Sequence, residues 1–112
     1  MRHAVLASVL AVSATSAKAD GEDAAMEALL AHKGDPAYGE YLAGECTTCH
    51  RADGSAEGIP AITGWPSEDF RIGMFLYRTG MREHPVMNMI ASRLGDEEIA
   101  SLADYFETLT DN

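Results

Sequence analysis

The stretch ECTTCHRADG, residues 45–54, contains both cysteines of this 112-residue chain and places a histidine directly after the second one. Two residues separate Cys46 from Cys49, and His50 follows without a gap. Two thiols and an imidazole that close together predict a chemical site. The rest of the sequence indicates which chemistry the site serves.

Four chemistries use cysteines at this spacing. A zinc site usually has four protein ligands and a second ligand pair, and here only distant histidines or carboxylates could complete the set. A thioredoxin-like redox pair lies next to a βαβ unit, and the chain shows no strand pattern. A disulfide between Cys46 and Cys49 is the third reading, although closing so short a loop adds little stability. The C-x-x-C-H order favours the fourth, covalent attachment of a c-type haem with His50 as iron ligand.

The first nineteen residues have the pattern of a secretory signal peptide. A positive start at residues 1–3 precedes a run of small apolar residues at 4–12, interrupted by Ser8, and 17–19 fit an A-x-A cleavage site. A membrane anchor is the alternative, but the run is shorter than the roughly 20 residues that cross a bilayer. We therefore expect cleavage before Asp20 and a periplasmic protein without a membrane span.

The charge of the chain restricts its partners. Removing residues 1–19 takes away Arg2 and Lys18 and leaves six basic against 18 acidic residues, a net charge of −12. Nucleic acid and anionic membrane surfaces repel such a chain. We therefore expect protein partners and no nucleic acid.

The chain after residue 19 divides into an N-terminal arm or short helix, 20–35, and a main domain, 36–112. Residues 22–32 have helical composition and end before a Gly-Asp-Pro break. Asp35 is a good cap and Pro36 a good first residue for the next helix, which runs into Cys46. The cysteine motif therefore begins where a helix ends.

Two more helices are predicted in the C-terminal half. Ser67 caps a helix that ends at Gly80, and Asp96 caps the last helix. One face of each is apolar, and the last helix turns its acidic residues to water. The apolar residues are Phe70, Met74 and Tyr77 on the first and Ile99, Leu102, Ala103, Phe106 and Leu109 on the second; the acidic ones are Glu97, Glu98, Asp104 and Glu107.

The remaining segments, 51–66 and 81–94, are predicted to be irregular. The fold class is therefore all-α, with three to four short helices and long loops. Long loops in a small domain need something to pack against, and a prosthetic group would supply it.

These features together resemble the class I cytochromes c over residues 38–110. CTTCH, a proline loop, a later methionine and the closing segment RLGDEEIASLADYF carry the resemblance. It implies one covalent haem c held by Cys46 and Cys49, with His50 on one face of the iron. It also implies a methionine on the other face, seven residues before Leu94, which is Met87.

Other ligands for that second face stay open. Met89 is the main alternative to Met87, and His32 or His84 could replace a methionine. Met81 and Met89 otherwise serve as flexible apolar filler against the porphyrin.

The resemblance also implies residues around the haem. Pro60 lies ten residues after His50, where the family has a proline whose carbonyl accepts the imidazole N–H and fixes the ring. Trp65 and Arg82 could donate to a haem propionate. Alternatively, Trp65 covers the core and Arg82 is solvated.

Iron with histidine and methionine bound has no open position, so the resemblance implies one-electron transfer and no catalysis. Three stretches, GEYLAGECTTCH, GIPAITGWP and the segment from Met74 to Leu94, are similar to the cytochrome subunit of flavocytochrome c sulfide dehydrogenase and related sulfur-oxidation cytochromes. That similarity implies a periplasmic flavoprotein or molybdenum enzyme as electron donor and a downstream cytochrome or oxidase as acceptor. A freely diffusing general carrier and a haem enzyme or sensor with an open iron site are the alternatives.

Overall fold

The computed structural model of the chain describes residues 3–9, 14–51 and 58–109. Over these residues it contains six helices and no strand. They are α1 (Ala14–Ala31), α2 (Pro36–Leu42), α3 (Gly44–Thr47), α4 (Ser67–Thr79), α5 (Pro85–Ser92) and α6 (Asp96–Thr108). The all-α prediction is confirmed, but the expected three or four helices were too few.

Helix α5 was missed because Pro85 and its neighbours read as loop residues. Proline is favoured at the first position of a helix, and Pro85 occupies that position. His84 is the N-cap, and its Nδ1 accepts a hydrogen bond from the Met87 amide at 3.4 Å. The segment 81–94 was predicted to be irregular, but more than half of its residues are helical.

The core lies where α6 packs against α2 and α4. The predicted apolar face of α6 is confirmed, since Ile99, Leu102 and Phe106 are at most 1% exposed. Phe70 of α4 stacks on Phe106 with ring centroids 5.6 Å apart. These three helices thus form the rigid base on which the rest of the chain is placed.

Helix α2 begins as predicted. The Asp35 carboxylate accepts from the Ala37 amide at 3.0 Å, and Pro36 is the first helical residue. Gly39 then faces α6 so closely that a Cβ there would clash with the backbone carbonyl of Ser101. This close crossing fixes the direction in which α2 leads into the cysteine motif.

Two predicted caps lie one residue inside their helices. Pro66 is the N-cap of α4, and Ser67 instead donates through Oγ to Asp104 Oδ1 at 2.6 Å. Gly95 is the N-cap of α6, and Asp96 forms an ion pair with Arg78 at 2.7 Å. In both cases the side chain has a stronger partner in a neighbouring element than the amides of its own helix.

The C-terminal end of α1 is an integral part of the fold and not a free arm. Leu29 is fully buried, and Arg71 Nη1 of α4 donates to the carbonyls of Leu29, Leu30 and His32 at 2.9, 3.2 and 2.6 Å. Arg71 Nη2 also binds Asp104 Oδ1 at 2.9 Å. The prediction that Asp104 points to water was therefore wrong, because it neutralises a buried arginine.

The N-terminal end of α1 overlaps the predicted signal peptide. The helix starts at Ala14 and so crosses the predicted cleavage position before Asp20. Of the signal-peptide segment, residues 1, 2 and 10–13 lie outside the described residues. In the described part of the chain, none of the helices combines the length and the apolar character that a bilayer crossing requires.

Candidate functional site

A cavity of about 290 Å³ opens beside the cysteine motif and has mainly apolar walls. The turn after α3, the loop 58–66, helix α4 and the segment 82–90 contribute to it. All seven residues predicted for the site line this cavity: Cys46, Cys49, His50, Pro60, Trp65, Arg82 and Met87. The fold thus gathers residues that are spread from position 46 to position 87 of the sequence.

The cysteine motif itself is a tight helical turn. The amides of Cys49 and His50 both donate to the Cys46 carbonyl, at 3.2 and 2.8 Å. Both thiols are free, with Cys46 half-buried and Cys49 exposed. The turn therefore presents two thiols and one imidazole to the same cavity.

The environment of Cys46 favours a neutral thiol. Burial, reinforced by the neighbouring Glu45 and Cys49, raises the pKa of the Cys46 thiol to about 11. The thiolate is the form that acts as a nucleophile, so Cys46 is a weak nucleophile at neutral pH. Over residues 3–9, 14–51 and 58–109, no three His, Cys, Asp or Glu side chains are grouped to hold a metal ion.

His50 is held in one orientation by the loop that faces it. Its Nδ1 lies 2.7 Å from the Pro60 carbonyl oxygen, the contact that the sequence predicted. A carbonyl can only accept, so Nδ1 carries a hydrogen, and in the neutral ring Nε2 then has the lone pair. This is the tautomer that an imidazole needs to bind a metal through Nε2.

The methionines occupy different surroundings. Met87 is half-buried and lines the cavity, whereas Met81 and Met89 are 53% and 54% exposed and lie outside it. The expectation that Met81 and Met89 pack against a bound group does not match this placement. Met74 is buried in α4 and also lines the cavity, in agreement with its predicted place in the core.

The two rival histidines are also separated. His84 lines the cavity, but its Nδ1 accepts from the Met87 amide. Its ring packs edge-on against Tyr77 with centroids 6.5 Å apart. His32 follows the end of α1 and does not line the cavity.

Arg82 and Trp65 place polar hydrogens at the cavity rim. The Arg82 guanidinium lies over the Tyr77 ring, 5.4 Å from its centroid, and Trp65 is 38% exposed. Neither residue is buried in the core. Both can therefore contact the solvent-facing end of a group bound in the cavity. Their placement fits donors to an anionic substituent.

Sequence reasoning missed the aromatic wall of the site. Phe70 and Tyr77 line the cavity together with Ile62 and Ile90, whereas the apolar pattern of α4 predicted only a core face. One face of α4 in fact serves both the core and the cavity. Periodicity cannot separate these uses, because both need the same apolar residues.

The residues present fit a covalently bound haem. Two free thiols, an imidazole and a thioether surround a mainly apolar space, and two hydrogen-bond donors lie at its edge. The thiols match the vinyl carbons of a c-type haem, and the imidazole and the thioether match its iron. The two donors match its propionates. The fold and the site together therefore define a small all-α haem protein of the cytochrome c class.

Comparison with known proteins agrees with this class, although no family model matches the chain. Cytochrome c-554(548) of Halomonas halodenitrificans is 35% identical over 80 residues, which are 67% of this chain and 96% of that protein. The chain therefore belongs to the class I cytochromes c. Proteins of this class carry haem c and transfer electrons.

Two further relatives have names from sulfur metabolism. The thiosulfate dehydrogenase electron acceptor of Stutzerimonas stutzeri is 36% identical over 67 residues, 57% of this chain and 31% of that protein. The cytochrome subunit of sulfide dehydrogenase of Chlorobaculum tepidum is 34% identical over 73 residues, 64% of this chain and 66% of that protein. The chain thus spans about a third of the first relative and just under two thirds of the second.

Proposed function

We propose that this chain is a periplasmic monohaem cytochrome that transfers one electron at a time and receives it from a sulfur-compound dehydrogenase. The observation that carries the proposal is the cavity that gathers both cysteines, His50 and Met87 around one apolar space. The proposed donor is a flavoprotein or a molybdenum enzyme that oxidises sulfide, sulfite or thiosulfate. The proposed acceptor is a downstream cytochrome or oxidase.

Each residue of the site has a role in this proposal. Cys46 and Cys49 would hold the haem as thioethers, and His50 and Met87 would bind its iron. When bound, the haem supplies an iron that changes between the ferrous and ferric states. The Pro60 carbonyl keeps the His50 ring oriented, and Arg82 and Trp65 would donate to the propionates.

Two protein ligands leave no position on the iron for a substrate, which favours electron transfer over catalysis. A thioether ligand also favours ferrous iron and so raises the reduction potential. The walls from α4 and α5 are mainly apolar. They would therefore rearrange little when the charge of the iron changes by one unit. The site is therefore suited to accepting and releasing an electron without breaking a bond.

The compartment and the donor rest on sequence features. The pattern of residues 1–19 supports export to the periplasm. The names of the two relatives from sulfur metabolism and the similarity of three stretches to a sulfide dehydrogenase subunit support a sulfur-compound donor.

A freely diffusing general carrier is the second candidate. Cytochrome c-554(548) supports it, because nearly the whole of that small protein, 96%, matches this chain. Such a carrier with a net charge of −12 would meet basic partners through long-range attraction. That attraction weakens as the ionic strength rises, whereas a stable subunit contact depends on buried apolar area.

The test is to purify the protein gently from its native periplasm at two ionic strengths and to record its optical spectrum before and after dithionite. A low-spin c-haem that copurifies with flavin absorption or molybdenum at both salt concentrations supports the dehydrogenase partner. Haem without a copurifying enzyme at either concentration supports the general carrier. A protein without haem overturns the whole proposal.

A further inference from the structure

The side chain of Asn88 joins three separate points of the backbone next to Met87. Its Nδ2 donates to the carbonyls of Tyr77 and Arg82 at 2.8 and 2.9 Å. Its Oδ1 accepts from the His84 amide at 2.8 Å. These points lie at the end of α4, in the loop between α4 and α5, and at the N-cap of α5.

The chemistry of the three partners requires a carboxamide at this position. Two carbonyls can only accept and one amide can only donate, so the orientation of the Asn88 amide is fixed. An aspartate would face two carbonyls without a donor. Asn88 is half-buried, and its bond to the Tyr77 carbonyl is partly shielded from water, whereas the bonds to Arg82 and His84 are exposed.

Helix α5, which carries Met87, packs on the core through its fully buried Ala91, and Asn88 adds side-chain hydrogen bonds from its first turn to α4 and to the preceding loop. Helix α5 has eight residues, and so short a helix is unstable unless tertiary contacts hold it. The loop before it turns at Gly80, whose φ is +79°, and is closed by the Arg82 amide bonded to the Leu76 carbonyl at 3.0 Å. Asn88 adds the connections between this loop, the end of α4 and the first turn of α5.

Two residues that line the cavity depend on that connection. Met87 directly precedes Asn88 in the chain, and the Arg82 carbonyl accepts a hydrogen bond from the Asn88 side chain. Both Met87 and Arg82 line the cavity. Loss of the Asn88 amide would leave the first turn of α5 free to move away from the cavity wall.

We propose that Asn88 is a positioning residue that keeps the Met87 sulfur on the haem iron and the Arg82 guanidinium at the cavity rim. This inference rests on the proposed role of Met87 as iron ligand. Asn88 itself does not line the cavity.

The test compares the holoproteins of Asn88→Ala, Ser92→Ala and Met87→Ala with the unaltered protein. Ser92 is the matched control, because its hydroxyl bonds only to Met89 O within the same helix, at 2.8 Å. Carbon monoxide binding to the ferrous protein and the methionine-to-ferric-iron charge-transfer band report on the Met87 bond. Far-ultraviolet circular dichroism reports on the helices.

We expect Asn88→Ala to bind carbon monoxide roughly tenfold faster than the unaltered protein or more, because the variant loses all three hydrogen bonds of the Asn88 amide. Its charge-transfer band should weaken, its helix content should stay the same, and Ser92→Ala should behave as unaltered. An Asn88→Ala protein with unaltered carbon monoxide binding and an intact band overturns the inference.

Met87→Ala separates this failure from failure of the proposed function. If Met87→Ala exposes the iron and Asn88→Ala does not, the ligand assignment holds and the positioning role is wrong. If Met87→Ala does not expose the iron, the ligand assignment itself is wrong and the positioning role falls with it.

A second measurement covers the case in which Asn88→Ala yields no holoprotein. Amide hydrogen exchange of the unaltered ferrous protein, followed by nuclear magnetic resonance, gives the opening rate of the His84 amide that Asn88 holds. If Asn88 holds Met87 on the iron, the His84 amide should open at the same rate as the Met87–iron bond, which carbon monoxide binding measures. A His84 amide that opens many times faster than the iron overturns the inference.

Discussion

Two methionines of the same short helix have different surroundings, although one residue separates them. Met87 lines the cavity and Met89 is 54% exposed outside it. We expect the unaltered ferrous holoprotein not to bind carbon monoxide and the Met87→Ala holoprotein to bind it. The variant should also have a lower reduction potential, because its iron has lost the thioether ligand. Met89→Ala should change neither property. Carbon monoxide titration and potentiometry of both variants provide the measurement.

The reverse result would be equally informative. If Met89→Ala exposed the iron and Met87→Ala did not, helix α5 would have to rotate when haem binds. Met89, and not Met87, would then be the second iron ligand.

Residues of the site were predictable where their chemistry is local. Cys46, Cys49 and His50 are neighbours in sequence, so their spacing alone indicates their joint use. Asn88 was not predictable in this way, because its three partners are backbone groups 4 to 11 residues away. Any exposed helix could carry an asparagine, and only the folded loop shows what this one holds.

At the scale of elements, α1 shows how a buried charge can tie a helix to its neighbours. A polar helix end beside a Gly-Asp-Pro break indicated a loose arm, whereas Arg71 binds three carbonyls at the end of α1 and the Asp104 carboxylate. An arginine in an amphipathic helix normally lies in water, so its position in the sequence does not predict that Arg71 is buried. The end of α1 is held in the fold by these tertiary contacts of Arg71, which local sequence does not reveal.

The Arg71 contacts predict a large loss of stability when they are removed. Arg71→Ala leaves the half-buried Asp104 with only the Ser67 hydroxyl as donor and removes the donor of three carbonyls at the end of α1, which costs about 3 kcal/mol or more of unfolding free energy. Arg78→Ala is the matched control, because its pair with Asp96 is more exposed, 24% and 35% for the two side chains, and such pairs contribute about 1 kcal/mol or less. Denaturant unfolding of both holoproteins, followed by circular dichroism, measures the difference. Equal losses would mean that α1 is not held through Arg71.

At the scale of the whole molecule, the proposed prosthetic group accounts for the arrangement of the helices. Helices α2, α4 and α6 form a small core, whereas α3, α5 and the loop 58–66 mainly surround the cavity. Of the two segments predicted to be long loops, the part 58–66 of the first lines the cavity and the second, 81–94, is mostly the helix α5. The number of helices was not predictable, because α3 and α5 are too short for periodicity to reveal them.

The size of the cavity predicts that the chain folds poorly without its haem. Without a bound group, the mainly apolar walls of this cavity of about 290 Å³ face water and lack a packing partner. Small domains have a total stability of only about 5 to 15 kcal/mol. Replacing Cys46 and Cys49 by alanine prevents covalent attachment, so we expect the double variant to lose fixed tertiary packing and to unfold without a cooperative transition.

Calorimetry and near-ultraviolet circular dichroism of the double variant and of the holoprotein measure this effect. The single variants Cys46→Ala and Cys49→Ala each keep one thioether and serve as controls, so they should fall between the two. A compact double variant with a sharp thermal transition would show that the core of α2, α4 and α6 is sufficient for folding. The cavity would then be a preformed receptor for haem, and the α5 segment that carries Met87 would be ordered before the haem arrives.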